Sequence, residues 1–301
     1  MRRLDWTAEA ARWPDADASR FVEAGGLRWR VVRKGPEGAP QVLLLHGAGA
    51  SAHSWAGVIA DLSRDHDVIA PDLPGHGFTA LGPGGRQGLP VMARETGDLV
   101  AALGAAPAVI AGHSAGAAVA LRLVLDGRAA PATVYAINGA LTPFKGLAGV
   151  LFPPMARMLS ANPLTPRAFA LAATGDSDTA RRLIRGTGSR ISEAGLKLYQ
   201  RLFTSAAHVD GALRMMAQWE LPPLLEDLPK LPCRLVLAVG EADKAVPPDE
   251  AAALAGRLPF AELERHELGH VMHEERPERF AARIRALVAG DGPAAEAARS
   301  A

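Results

Sequence analysis

The stretch Ala108-Val-Ile-Ala-Gly-His-Ser-Ala-Gly-Ala-Ala-Val-Ala-Leu121 decides the reading of this chain. Its first four residues form a short apolar run of the kind that fills a strand covered on both faces. Gly112-His113-Ser114-Ala115-Gly116 follows, and the residues after it carry a helix. A serine between two glycines at a strand-to-helix turn has the context of a nucleophile elbow. The glycines are a steric requirement, because so sharp a turn leaves little room beside the serine. The hydroxyl is thereby pushed out above the sheet, and the helix N-terminus behind it favours nearby negative charge.

Outward from that turn, strand and helix alternate. Val42–Leu45, Asp67–Ala70, Thr133–Ile137 and Arg234–Val239 read as further buried strands, and Glu262–Leu268 as one more. Phe21–Val32 reads as a hairpin turned by Gly25-Gly26. Helical stretches fall near His53–Ser63, Leu89–Leu103, Ser114–Asp126, Pro248–Arg257 and Arg276–Ala289. This alternation predicts an α/β fold with a mostly parallel sheet. The interval between Asn138 and Arg234 has no strand-like run. Thr179–Arg185, Glu193–Phe203 and Val209–Trp219 carry helical periodicity there, punctuated by Pro153-Pro154, Pro163, Pro166 and Pro222-Pro223. The expected organisation is a core of residues 1–140 and 231–301 with a helical cap of residues 141–230.

Composition excludes several classes. In 301 residues, 33 Lys and Arg against 32 Asp and Glu leave a formal charge of +1, which gives no electrostatic case for nucleic acid as a partner. Hydrophobic residues at 49% and charged residues at 22% fit a globular chain. The single cysteine, Cys233, excludes a disulfide framework. Met1–Pro14 carries Arg2, Arg3, Asp5, Glu9 and Arg12 and has no apolar core of a signal peptide. Leu99–Leu121 lacks formal charge, but Pro107 and three glycines break it, so it reads as strand plus helix rather than a membrane span. A cytoplasmic location is the expectation. The histidines lack ligand spacing, and the glycine runs match no phosphate or dinucleotide fingerprint, so neither a metal nor a cofactor is expected.

A serine hydroxyl needs a base. At nucleophile elbows the partners follow in the order Ser, acid, His. Asp243, in Gly240-Glu-Ala-Asp243-Lys-Ala-Val-Pro247, and His270, in Leu268-Gly269-His270, supply that order at strand C-terminal ends. Ser114, Asp243 and His270 are therefore the candidate triad. Glu241 and Asp249 compete for the acid role, and His266 and His273 for the base. Asn138, at the end of the preceding strand, cannot serve as the acid. The backbone N–H groups of Ala115 and of Ala48, in Leu45-His46-Gly47-Ala48-Gly49, are the candidate oxyanion donors. Trp55, Phe144 and Trp219 are candidate substrate contacts. Leu147–Met155, Phe169, Met215 and Met216 could line an apolar pocket, or else pack the cap against the sheet.

His46-Gly47, Asp72-Leu-Pro-Gly-His-Gly77, Gly112–Gly116, Gly240…Asp243…Pro247 and Gly269-His270…Glu275-Arg-Pro277 resemble the α/β-hydrolase superfamily over about residues 19–280. The resemblance implies an eight-stranded sheet with a cap between strands six and seven. Further stretches look like the magnesium-chelatase accessory family of bacteriochlorophyll biosynthesis. They are Ser19-Arg-Phe-Val22, Gly26-Leu-Arg-Trp29, Gly75-His-Gly-Phe-Thr79, Gly112–Ala118, Asn138-Gly-Ala140, Ile184-Arg-Gly-Thr-Gly-Ser189 and Met215-Met-Ala-Gln-Trp219. Arg30 departs from that family's expected His, and Lys145 from its Gly. The resemblance implies a photosynthetic bacterial setting, with a tetrapyrrole as ligand, magnesium chelatase as a partner and a peripheral contact with the photosynthetic membrane as expectations. Two readings follow: a serine hydrolase acting on an acyl bond of an apolar small molecule, or a non-catalytic binder on the same fold. Ser114 excludes an aspartate nucleophile.

Overall fold

The computed structural model describes residues 1, 3–142, 158–159 and 161–290. Eight strands form one sheet in the order β1-β2-β4-β3-β5-β6-β7-β8. They are β1 (Ser19–Ala24), β2 (Leu27–Lys34), β3 (Gln41–Leu45), β4 (Asp67–Pro71), β5 (Val109–His113), β6 (Thr133–Ile137), β7 (Arg234–Gly240) and β8 (Ala261–His266). The first two form the hairpin at Gly25-Gly26 and pair antiparallel, and β2 meets β4 antiparallel; every pairing from β4 to β8 is parallel. The inner strands are buried at every position from Val42 to Leu45 and from Val109 to His113, which is why they read as unbroken apolar runs.

The helices, in chain order, are α1 (Trp6–Glu9), α2 (Ala56–Leu62), α3 (Leu89–Ala102), α4 (Ala115–Leu125), α5 (Thr165–Gly175), α6 (Thr179–Gly186), α7 (Glu193–Phe203), α8 (Ala206–Ala217), α9 (Pro222–Asp227), α10 (Pro248–Ala255), α11 (Met272–Glu275) and α12 (Pro277–Val288). On one face of the sheet, Leu43, Ile110 and Val134 pack with Leu99 of α3 and Leu121 of α4. On the other, Leu44, Ala111 and Tyr135 pack with Ile59 of α2 and Ile284 of α12. The edge strand β8 ends at His266, two residues before its expected limit. Leu268 N–H turns back to His266 O (2.8 Å), and that turn carries the chain to His270.

Helices α5–α9 lie between β6 and β7, as the resemblance implied. Their seat is over the loops at the carboxyl ends of the strands. Ile184, Leu196 and Tyr199 pack with Ala50 and Val271. Polar contacts fix the seat. Gly77 N donates to His208 Nδ1 (3.0 Å), which makes Nε2 the protonated nitrogen, and it donates to Gly49 O (3.1 Å). Val271 N donates to Ser189 Oγ (2.9 Å), and Tyr199 OH donates to Glu274 Oε1 (2.6 Å).

The loop after β4 is held by a buried charge pair. Asp72 Oδ1 lies 3.3 Å from Arg30 Nη1, and both side chains are fully buried. Asp72 also accepts from Ala52 N (2.8 Å) and Phe78 N (2.9 Å), while the Arg30 guanidinium lies over the Trp6 ring at 4.6 Å. Removing the carboxylate leaves a buried cation without its counter-charge, so Asp72→Ala should cost about 3–5 kcal/mol in urea unfolding.

Glu274 gives a second expectation. Burial at the seam beneath α7 pushes its carboxyl from 4.5 up to about 8. Between those values the unfolded chain has released the proton and the folded chain keeps it, so stability falls as pH rises. Unfolding across a pH series should show that decline in the wild type and lose it in Glu274→Gln.

Candidate functional site

The β5–α4 turn puts Ser114 at φ 51°, ψ −119°, a left-handed conformation that costs a non-glycine residue about 1–3 kcal/mol. The surrounding backbone enforces it. Ser114 N donates to Ile137 O (3.0 Å), and Ser114 O accepts from Ala117 N and Ala140 N (3.1 Å each). The flanking glycines are demanded by close approach. A Cβ on Gly112 would sit 2.5 Å from Gly116 O, and one on Gly116 would sit 2.6 Å from His46 O. The loop after β3 is pressed onto the same turn, since a Cβ on Gly47 would lie 2.9 Å from the Ser114 Cβ.

That loop is oriented by His46, which is fully buried. Leu73 N donates to His46 Nε2 (2.8 Å), so Nδ1 carries the proton and donates to Gly47 O (2.8 Å). Ala48 is exposed at the loop's tip, and Ala115 is the first residue of α4. An N–H at that first helical position has no acceptor within its own helix.

Asp243 sits in the turn after β7 with its side chain fully buried. Its Oδ1 accepts from Ala245 N (2.7 Å) and Val246 N (2.9 Å), which leaves Oδ2 for His270 Nδ1 at 2.7 Å. The competing groups lie apart from this contact. Glu241 is exposed and lies 3.9 Å from Arg265, and Asp249 is exposed on α10. His266 packs on Phe280 (ring centroids 5.3 Å). His273 is fully buried against Trp55 (4.2 Å) and His113 (4.5 Å), and burial holds it neutral with a pKa of about 3. The structure brings Asp243 and His270 together, while no hydrogen bond joins Ser114 Oγ to His270. The His113 ring, one residue before the serine, lies 4.7 Å from the His270 ring. Catalytic contacts in unliganded sites are commonly loose and tighten with substrate.

The expected substrate contacts fare unevenly. Trp55 is fully buried in the core layer with Val58, Ile59 and Met272, so its side chain packs the core rather than facing open space. Trp219 is partly buried against the core cluster that includes Met215 and Leu224. Phe169 is 36% exposed, with its ring edge-on to that of Phe203 at 6.1 Å. Phe144 and Leu147–Met155 lie outside the described residues. A cavity of about 680 Å³ opens between Arg86, Leu89, Arg122, Gln218 and Asp227, and no candidate-site residue lines it. Among the described residues no group of three or more His, Cys, Asp or Glu is placed to hold a metal ion. Sequence reasoning missed what lies beneath the histidine, where Asn138 and His113 bond to its main chain.

Comparison with known proteins agrees with this architecture. Residues 42–283 match the model of the alpha/beta hydrolase family. The chain is 43% identical over 272 residues to the magnesium-chelatase 30 kDa subunit of Rhodobacter capsulatus, covering 90% of this chain and 94% of that one. Among solved structures, a thermophilic esterase from Thermogutta terrifontis superposes with a TM-score of 0.72 at 23% identity, covering 90% of this chain and 98% of the esterase. An alpha/beta hydrolase fold protein from Burkholderia ambifaria gives 0.72 at 22% identity, over 89% and 97% of the two chains. At those identities the likeness is one of fold. The family model, matched over most of the chain, makes this protein a member of the alpha/beta hydrolase family.

Proposed function

We propose that the protein is a serine hydrolase acting on an ester or related acyl bond of an apolar small molecule, in the setting of bacteriochlorophyll synthesis at or near the magnesium chelatase step. The observation that carries the chemistry is the 2.7 Å contact of His270 Nδ1 with an Asp243 carboxylate whose other oxygen is already occupied by two amides. A carboxylate held in that way fixes the imidazole tautomer and leaves Nε2 free to take a proton.

In this reading Ser114 Oγ attacks the acyl carbonyl carbon as its proton passes to His270 Nε2. Asp243 stabilises the imidazolium that forms. The carbonyl oxygen, now an anion, is met by the N–H groups of Ala48 and Ala115, in a site whose donors are set before the reaction begins. Collapse of the tetrahedral species breaks the bond to the leaving alcohol, which receives the proton from His270. Water, deprotonated by the same imidazole, then attacks the acyl carbon, and His270 returns that proton to Ser114 Oγ as the bond to the acid breaks. Removing one oxyanion donor of this kind typically costs about 10²–10³ in kcat.

The biological setting rests on the likeness to a protein named as a magnesium-chelatase subunit. That name also favours a second reading, in which the fold binds a tetrapyrrole or touches the chelatase and the triad is idle. Among the described residues no helix is long and apolar enough to cross a membrane. Leu164 and Leu171, 61% and 74% exposed beside and on α5, support a peripheral membrane contact through the cap. Flotation with anionic vesicles tests it, and recovery wholly in the unbound fraction would end that part of the proposal.

A fluorophosphonate probe tests the hydrolase. Wild type should be labelled at Ser114, with the adduct found on the Gly112–Gly116 turn by mass spectrometry, and Ser114→Ala should not be labelled. A folded wild type that ignores both this probe and a small acylating reagent, yet binds a porphyrin, would favour the second reading.

A further inference from the structure

Asn138 stands at the end of β6 with φ 43°, 2% exposed, between the two loops that carry the acid and the base. Its carboxamide is fully engaged with main chain. Oδ1 accepts from Gly240 N (2.7 Å), at the end of the strand leading to Asp243. Nδ2 donates to Gly269 O (2.9 Å) and His270 O (2.8 Å). A second donor reaches the same carbonyl: His113 Nε2 lies 2.9 Å from His270 O. His113 must carry its proton on Nε2 to make that bond, and its Nδ1 is buried without a partner. Burial, with His273 and His270 beside it, holds the His113 ring neutral.

We infer that Asn138 and His113 are positioning residues, which clamp the main chain of His270 against the Asp243 strand and so set the His270–Asp243 hydrogen bond. The inference rests on the hydrolase reading for its catalytic consequence, though not for the geometry. The physical case is one of stiffness. His270 lies in a loop past the edge strand β8, and a loop alone holds a side chain loosely. Two donors on one carbonyl, plus a bridge to Gly240, tie that loop to β5, β6 and β7 together. The clamp acts through backbone groups alone, so it needs no charge at Asn138. A carboxylate there would face two carbonyl oxygens at 2.8–2.9 Å.

Two substitutions isolate the donors. Asn138→Asp keeps the size and the acceptor for Gly240 N–H but removes the donor. His113→Leu removes the other donor, whereas His113→Gln places an amide nitrogen where Nε2 was. Two readouts are needed on variants shown to fold by circular dichroism. The first is the proton NMR resonance of the His270 Nδ1–H shared with Asp243, which lies far downfield and does not depend on catalysis. The second is the rate of fluorophosphonate labelling at Ser114.

The resonance should be present in wild type and in His113→Gln, and lost or broadened in Asn138→Asp and His113→Leu. Labelling should fall by about 10²-fold in those two variants, as for a misplacement of about 1 Å in a catalytic group, and recover in His113→Gln. Folded Asn138→Asp and His113→Leu that keep the resonance and the wild-type labelling rate would overturn the inference, whatever happens to their melting temperatures. If neither the fluorophosphonate nor a small acylating reagent labels the wild type, the hydrolase reading fails, and the resonance still decides whether the clamp sets the histidine.

Discussion

The backbone at Ser114 is the constraint on which the rest of the molecule depends. A non-glycine residue at φ 51° persists only where its surroundings leave no alternative. Here β3 presses Gly47 onto the serine, β6 supplies Ile137 O to its amide, and Gly116 lets α4 come against the His46 carbonyl. Each of those contacts comes from a different strand or helix, so the sheet has to be assembled before the turn can exist. The strain is therefore a product of the whole fold, and it aims one side chain out of the sheet at the carboxyl ends of the strands.

Those strand ends gather the chemistry. β7 delivers Asp243 and the turn past β8 delivers His270, and the two meet at 2.7 Å only because β6 between them and the serine stays in register. Asn138 shows how closely the register matters, since one carboxamide spans from Gly240 to His270. The helices between β6 and β7 complete the arrangement from above. Their anchors on Gly49 and Val271 fall beside Ala48 and His270, and those on Gly77 and Glu274 fall on the loop after β4 and on α11, so the cap is tied to the elements around the candidate site.

Much of this was legible in the sequence, and the reasons are physical. The turn at Gly112–Gly116 admits few residue types, and buried parallel strands must be apolar throughout, so both leave marks in the local chain. The order Ser114, Asp243, His270 follows from chain topology and can be read without coordinates. The same reading names Asp243 and leaves Glu241 and Asp249 as competitors, because which side chain the turn after β7 points inward is written in the fold and not in the spacing. Trp55 illustrates the same limit: its place beside the glycine loop says nothing of whether its ring meets a substrate or Met272 and His273. The roles of Asn138 and His113 were hidden for another reason. Their partners are backbone carbonyls more than 130 positions away, and a carbonyl has no signature in a sequence.

Family membership and catalysis are separate matters for such a chain. The fold is shared with esterases at identities near 20%, while the long alignment is to a protein named for a chelatase. Carboxylate, imidazole and strained serine are costly to maintain in a pure binder, which is the physical argument for an active site. The most direct test is turnover of a panel of p-nitrophenyl esters of increasing acyl length by wild type and by Ser114→Ala. Wild type should hydrolyse these esters, with a loss of about 10³-fold or more in the variant. Equal rates for the two proteins would rule out Ser114 as the nucleophile.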